Sequence, residues 1–332
     1  MFKNFLRYQL HKVFKIPYAL VVSAVDRCSL KCSMCDIWTH KSTDLTLAEW
    51  ERHLSLPLLS KVKYLGLTGG EPLLYAHLPE FVALVNSLFD LETLHLNTSG
   101  LYPDRLEKVL KVMSGIKGPR FVLAISIDGT VSHDQIRGIP GVFDKAIASI
   151  KLCKQYHIPV TINSVAWKQS SNELRSLQTL TKELDVPWNI TPAYIREDLD
   201  NEEKDFRLGE TTKGFLRELL LKNFQQKSKR DKMGLVDLGH FRQLETGKRS
   251  MPCAFLEGTA LYMNSKGQLN VCQNEPDNCG DFAERRNDLK ETRCETCLST
   301  CLNSLAYRGH PLKLAAYFLA SSSKSNVPVL HK

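Results

Sequence analysis

Apolar and polar positions along this chain follow two alternating rhythms. Short apolar runs recur at 19–25, 62–68, 91–97, 121–127, 158–165 and 187–194, each the length of a buried strand. The stretches between them, 46–55, 76–89, 103–114, 142–157 and 171–184, read as helices. Strand followed by helix is the rhythm of βα units and of a parallel sheet. Six units are fewer than the eight that close a full barrel. The pattern therefore predicts an α/β fold, a partial (β/α)6 TIM-like barrel open at one side.

The ends break this rhythm. Met1 to Lys15 has helical spacing, with Phe2, Phe5, Leu6, Leu10, Val13 and Phe14 on one side and Lys3, Arg7, Lys12 and Lys15 elsewhere. Such a stripe packs on its own domain, with peripheral membrane contact as the alternative. Residues 311–320 pose the same choice, and 321–332 read as a frayed end. The charged run 196–207 reads as a solvated linker or lid, and a helix at 210–227 closes the barrel domain. The basic run 227–232 reads as a solvated helix end, or else as a contact for an acidic leader or a phosphate. These breaks divide the chain into 1–17, 18–230, a small Cys-rich extension at 231–310, and 311–332.

Composition narrows the function. With 43% hydrophobic and 24% charged residues over 332 positions, the chain matches an ordinary globular protein with a sizeable core. Its net charge of +8 comes from 44 basic and 36 acidic residues spread along the chain, so no nucleic acid is expected. No signal peptide or membrane span is apparent. Ten cysteines cluster mainly at 28–35 and 253–301. That clustering predicts metal centres in a reducing cytoplasm rather than secreted disulfides.

The densest chemistry is Cys28-Ser-Leu-Lys-Cys32-Ser-Met-Cys35, directly after the first strand. Loops at the carboxyl ends of parallel strands are where β/α barrels build active sites. Three thiolates on one loop suit zinc or an iron–sulfur cluster. A closed zinc site has four protein ligands, and His40 is the nearest further candidate. Three thiolates alone leave one iron of a cubane open to a small molecule. Downstream strands end in Leu67-Thr68-Gly69-Gly70-Glu71-Pro72, Leu96-Asn97-Thr98-Ser99-Gly100 and Ile125-Ser126-Ile127-Asp128-Gly129. The paired glycines admit close backbone approach, and Glu71 suits an ammonium group. Ser99 or Asn97 suits either a ligand or a helix cap before Pro103.

In this order the motifs resemble the radical S-adenosylmethionine (SAM) superfamily, whose signature is Cys-x3-Cys-x-Φ-Cys, with Met34 as the apolar residue. The resemblance implies a 4Fe–4S cluster on the catalytic Cys28, Cys32 and Cys35, with its open iron chelating SAM. Reduction of that cluster splits SAM to methionine and a 5′-deoxyadenosyl radical. The resemblance also implies that Gly69, Gly70 and Glu71 hold the SAM amino group, and that Asn97 and Ser99 contact its methionine or ribose part. Ser126 and Asp128 are then acceptors for ribose hydroxyls, Arg137 grips the SAM carboxylate, and Asn163 lies under the adenine. The segment His133 to Gly138 followed by Gly141-Val-Phe143 resembles peptide- and sulfatase-modifying members; His133 reads as a loop-positioning residue. Cys153, Trp188 and Tyr194 read as core.

A second cysteine field holds Cys253, Cys272, Cys279, Cys294, Cys297 and Cys301. Residues 259–263 and 268–272, joined by a Gly-bearing turn, predict a β-hairpin that brings its flanking thiols together. A structural zinc knuckle from these residues is one reading. The field also resembles the SPASM/twitch extensions of radical SAM enzymes, with fewer cysteines than a full SPASM domain. That implies one auxiliary 4Fe–4S cluster, on Cys253, Cys272, Cys294 and Cys297 by first choice, with Cys301 competing and Cys279 a bystander. The resemblance implies hydrogen abstraction from a peptide or protein, with a low-potential electron donor such as flavodoxin or ferredoxin. A small polyol, sugar or lipid-linked substrate is the alternative, and a non-catalytic metal-binding scaffold the third.

Overall fold

The computed structural model describes residues 2–167, 169–195, 199–227, 233–249, 252–273, 302–306 and 310. The strands are β1 (Ala19–Ser23), β2 (Tyr64–Thr68), β3 (Thr93–Thr98), β4 (Arg120–Ser126), β5 (Val160–Ala166), β6 (Trp188–Pro192), β7 (Ala260–Met263) and β8 (Leu269–Asn270). They form one open sheet in the order β6-β5-β4-β3-β2-β1-β7-β8. All neighbours are parallel except β7 and β8. The expected hairpin is present as β7–β8, but it does not stand apart. β7 pairs in parallel with β1, Ala19 opposite Ala260, and so extends the barrel sheet.

The helices among the described residues are α1 (Phe2–Val13), α2 (Leu47–Leu54), α3 (Leu78–Leu88), α4 (Pro103–Gly115), α5 (His133–Arg137), α6 (Val142–Gln155), α7 (Ser171–Glu183), α8 (Glu210–Lys227), α9 (Met233–Thr246) and α10 (Asn303–Ala306). α2 begins at a capping box: Glu49 N donates to Thr46 Oγ1 at 3.3 Å and Thr46 N to Glu49 Oε2 at 2.8 Å. One face of the sheet is buried under helices, where Leu20, Leu65, Leu94, Leu96 and Ile125 meet Trp50, Phe81 and Leu110. Full burial of each such side chain contributes about 1.5–3 kcal/mol. Residues of the opposite phase on β3 and β5, His95, Asn97, Thr161 and Asn163, stay half-buried on the concave face.

Two elements differ from expectation. Among the residues of α1 whose side chains are described, Tyr8 and His11 are buried, while Leu6 of the expected stripe is exposed. Tyr8 stacks edge-on against Tyr18 at 5.2 Å and shares a hydrogen bond with Thr259 at 2.8 Å. Leu10 is 50% and Val13 72% exposed. Tyr8 satisfies its hydroxyl there while filling the space between β1 and the β7 loop. Of the charged run, residues 199–207 are likewise more than a solvated linker: Asn201 is only 2% exposed and donates to the Met34 carbonyl in the cysteine loop and to the Tyr194 carbonyl. α9, absent from the sequence pattern, joins α8 through an Arg217–Glu245 ion pair. No described helix is long and apolar enough to cross a membrane.

Candidate metal centre and cofactor site

The cysteine loop leaves β1 at the carboxyl end of the sheet and is laced on three sides. On the first, Gly70 N donates to Val25 O at 2.9 Å and Glu71 N to Arg27 O at 3.0 Å. A Cβ at Gly70 would overlap the Arg27 carbonyl, so the glycine is required by the loop itself. On the second, Lys31 N donates to Arg137 O at 3.1 Å and Ser33 N to Ile136 O at 2.9 Å. Gly138, at φ +73°, would carry a Cβ 2.5 Å from Lys31 O. On the third, Leu199 O accepts from Asp36 N at 2.9 Å, Asn201 Nδ2 donates to Met34 O at 3.1 Å, and Lys204 pairs with Asp36 at 2.7 Å.

Within this lacing Cys32 is buried and Cys28 and Cys35 are half-buried, in a jacket that includes Leu30, Met34, Ile136, Val142, Trp167 and Phe206. Desolvation pushes the Cys28 thiol up to about 12. Burial raises Cys32 too, against the pull of Arg137. His40 is not a fourth thiolate partner: its ring lies between Asp26, at 2.9 Å, and Asp200. Among the described residues, no three His, Cys, Asp or Glu side chains close on a single-ion site. Three soft donors on one partly buried loop suit an iron–sulfur cluster, which Cys28, Cys32 and Cys35 would hold without having to converge on a single ion.

Glu71 is 1% exposed and has two donors on each oxygen. Oε1 accepts from Leu73 N at 3.1 Å and Thr98 Oγ1 at 2.6 Å; Oε2 accepts from Ser99 N at 2.9 Å and from Ser99 Oγ. Ser99 therefore binds Glu71 rather than capping α4, whose N-cap, Tyr102, makes no side-chain cap bond. Thr98 carried no sequence signal because its partner, Glu71, lies 27 residues away in the loop after β2. Asn97 points the other way, onto the concave face. There Asn163 Nδ2 donates to Asn97 Oδ1 at 3.5 Å and Asn189 Nδ2 to Asn163 Oδ1 at 3.1 Å. His95 Nδ1 lies 3.4 Å from Asn97 Nδ2. Burial pushes the His95 ring down to about 4, so it is a neutral acceptor. Ser126 sits beside Asn163 in register. Asn97, Ser126 and Asn163 thus share one polar floor.

Asp128 and Arg137 are together, but facing each other. Asp128 is 0% exposed, and its Oδ2 forms an ion pair with Arg137 Nη2 at 2.6 Å, without the alignment of a hydrogen bond. Its Oδ1 accepts from Val165 N at 2.8 Å. Arg137 Nη1 donates toward Cys32 Sγ at 3.8 Å. Gln169, which no motif marked, donates to the Asp128 and Val165 carbonyls at 2.9 and 2.8 Å. His133 is buried, accepts from Asp128 N at 3.0 Å and is pushed by burial down to about 4, a positioning geometry. Cys153 is buried beneath β4 and β5. Cys253 and Cys272 pack against one apolar cluster around Tyr18 and Phe255; Cys279, Cys294, Cys297 and Cys301 lie outside the described residues.

Residues 22–179 match the family model described as the Radical SAM superfamily. GTP 3′,8-cyclase of Clostridium perfringens (strain SM101) is 29% identical over 154 residues, 44% of this chain and 46% of that protein. Sporulation killing factor maturation protein SkfB of Bacillus subtilis (strain 168) is 26% identical over 163 residues, 48% of this chain and 38% of that protein. Both matches span less than half the relative's length. Among solved structures, Streptococcus suis SuiB bound to precursor peptide SuiA superposes with a TM-score of 0.57 at 15% identity, covering 90% of this chain and 78% of that one. Native anSMEcpe with bound AdoMet and Cp18Cys peptide gives 0.56 at 15% identity, covering 92% and 99%. At such identities the likeness is one of fold. Over residues 22–179, just under half of its length, this chain is therefore similar to the Radical SAM superfamily.

Proposed function

We propose that the chain is a radical SAM enzyme that removes a hydrogen atom from a C–H bond of a peptide or protein substrate. The observation that carries this reading is the loop of Cys28, Cys32 and Cys35, laced on three sides inside an apolar jacket. When bound, a reduced 4Fe–4S cluster supplies the cleavage of SAM to methionine and a 5′-deoxyadenosyl radical. The chain's own residues hold the thiols, exclude water and present the floor of Asn97, Ser126 and Asn163 to SAM. Gly69, Gly70 and Glu71 shape the wall beside it. The peptide substrate is supported by two fold neighbours being described with bound peptides.

An auxiliary cluster would use Cys253 and Cys272, which share one apolar neighbourhood, with Cys294 and Cys297, Cys301 competing for one of the latter places, and would accept an electron or bind substrate. Electrons would come from flavodoxin or ferredoxin in a reducing cytoplasm. A small-molecule substrate is the second reading, favoured by the GTP 3′,8-cyclase relatives. The test is anaerobic reconstitution with iron and sulfide, followed by assay of 5′-deoxyadenosine with dithionite and SAM. Wild type should form it and Cys32→Ala should not. Retained turnover in the variant overturns the assignment, and a fully loaded wild type that leaves SAM intact favours the scaffold reading. About eight irons per chain supports two clusters; about four leaves only the first.

A further inference from the structure

Arg137 is held in place from two directions. Its carbonyl accepts from Lys31 N, within the cysteine loop, at 3.1 Å. Its guanidinium spans Asp128, at 2.6 Å, and the Cys32 sulfur, at 3.8 Å. Nε is buried and has no acceptor among the described residues. Asp128 cannot turn away from this pair. Oδ1 is occupied by Val165 N, its backbone N donates to His133, and its carbonyl accepts from Gln169. The side chain of Arg137 is 12% exposed and that of Asp128 0%. A cation that reaches the thiol and the counter-charge paired with it are thus both fixed in a poorly solvated site. Electrostatic effects are stronger there than in water.

We infer that Arg137 is a positioning residue that raises the reduction potential of the cluster on Cys28, Cys32 and Cys35, acting through the Cys32 sulfur, and that Asp128 moderates the effect. The inference rests on the proposed cluster at that loop. Reduction adds one electron to a thiolate-rich centre. A nearby cation and an N–H donor to the ligand sulfur favour the reduced form, and a buried anion opposes it. Both residues were expected to face SAM; here they set the electronic environment of a ligand to the cluster.

The test compares wild type with Arg137→Gln, Arg137→Lys and Asp128→Asn, each reconstituted anaerobically without SAM and matched for iron and sulfide. The reduced cluster is followed by electron paramagnetic resonance during titration with dithionite and mediators. At a fixed poise, Arg137→Gln should lower the reduced-to-oxidised ratio about tenfold, 59 mV for one electron. Arg137→Lys should fall between it and wild type. Asp128→Asn should move the ratio the other way. Shifts of opposite sign are a signature that mere loosening of the loop would not give. Unmoved potentials, or shifts of one sign in all variants, overturn the inference while leaving the enzyme reading intact. A wild type that takes up no cluster overturns both. If Arg137→Gln does not fold, the Lys and Asn variants decide the matter.

Discussion

The side-chain amide of Asn201 donates to the backbone carbonyl of Met34 at 3.1 Å, tying the segment beyond β6 to the residue just before Cys35. Asn201 is 2% exposed. Replacing it by alanine leaves a buried carbonyl unsatisfied, at a cost of about 1–3 kcal/mol. The reconstituted Asn201→Ala protein should bleach faster in air than wild type, read from the decay of its visible absorbance. Equal bleaching rates would show that the segment does not guard the loop.

Glu71 is surrounded by donors even without a ligand, so its loss should be felt by the empty protein. Glu71→Gln places an amide NH2 against hydroxyl or N–H donors of Thr98 or Ser99. A loss of about 1–3 kcal/mol is expected in denaturant unfolding of the apo-protein. An unchanged midpoint, with weaker SAM binding alone, would return Glu71 to a purely ligand-holding role.

Glycines should separate by what faces them. Gly138→Ala introduces a Cβ 2.5 Å from the Lys31 carbonyl at φ +73° and should lower stability by about 1 kcal/mol or more. Gly115→Ala, with nothing within 4 Å, should be neutral or raise stability by less than about 1 kcal/mol. Thermal unfolding of both variants checks the contrast. Equal effects would mean that the β4–α6 loop yields to the extra carbon.

The ring of His40 links the loop to the segment beyond β6. Burial lowers its pKa, but the hydrogen bonds to Asp200 and Asp26 outweigh that and raise it above 6.5. A raised folded value means stability fully present below the unfolded value and lost as pH climbs through the folded one. The difference in melting temperature between wild type and His40→Gln should therefore shrink from about pH 6 to about pH 9. Because the ring is partly exposed, the effect is modest and salt-sensitive. A difference that grows with pH would reverse the assignment.

Much of the barrel was legible because each strand is a short apolar run and the helices fill the intervals between them. The cysteine triplet stood out for a similar reason: its chemistry lies within a single loop. What sequence could not show were pairings between distant side chains. Asp128 and Arg137 were read as two ligands for SAM, although their nearest charges are each other. Ser99 was weighed as a contact or a cap, and a carboxylate 28 residues away took it instead. The run 196–207 looked solvated because it is charged, yet within it Asn201 is buried and Phe206 half-buried. On α1 the stripe gave no hint of Tyr8 and His11, amphipathic residues that are buried while Leu10 and Val13 are exposed.

The placement of β7 against β1 bears on how the molecule is made. Ala19 meets Ala260 in register, so one side of the first strand must wait while some 240 further residues leave the ribosome, at about 5–20 per second. Through that interval a strand of Ala, Leu and Val offers an unpaired rim to any other nascent chain. β1 is thus completed only long after it emerges, and production in a heterologous host should benefit from slower translation or from chaperones that cover such rims.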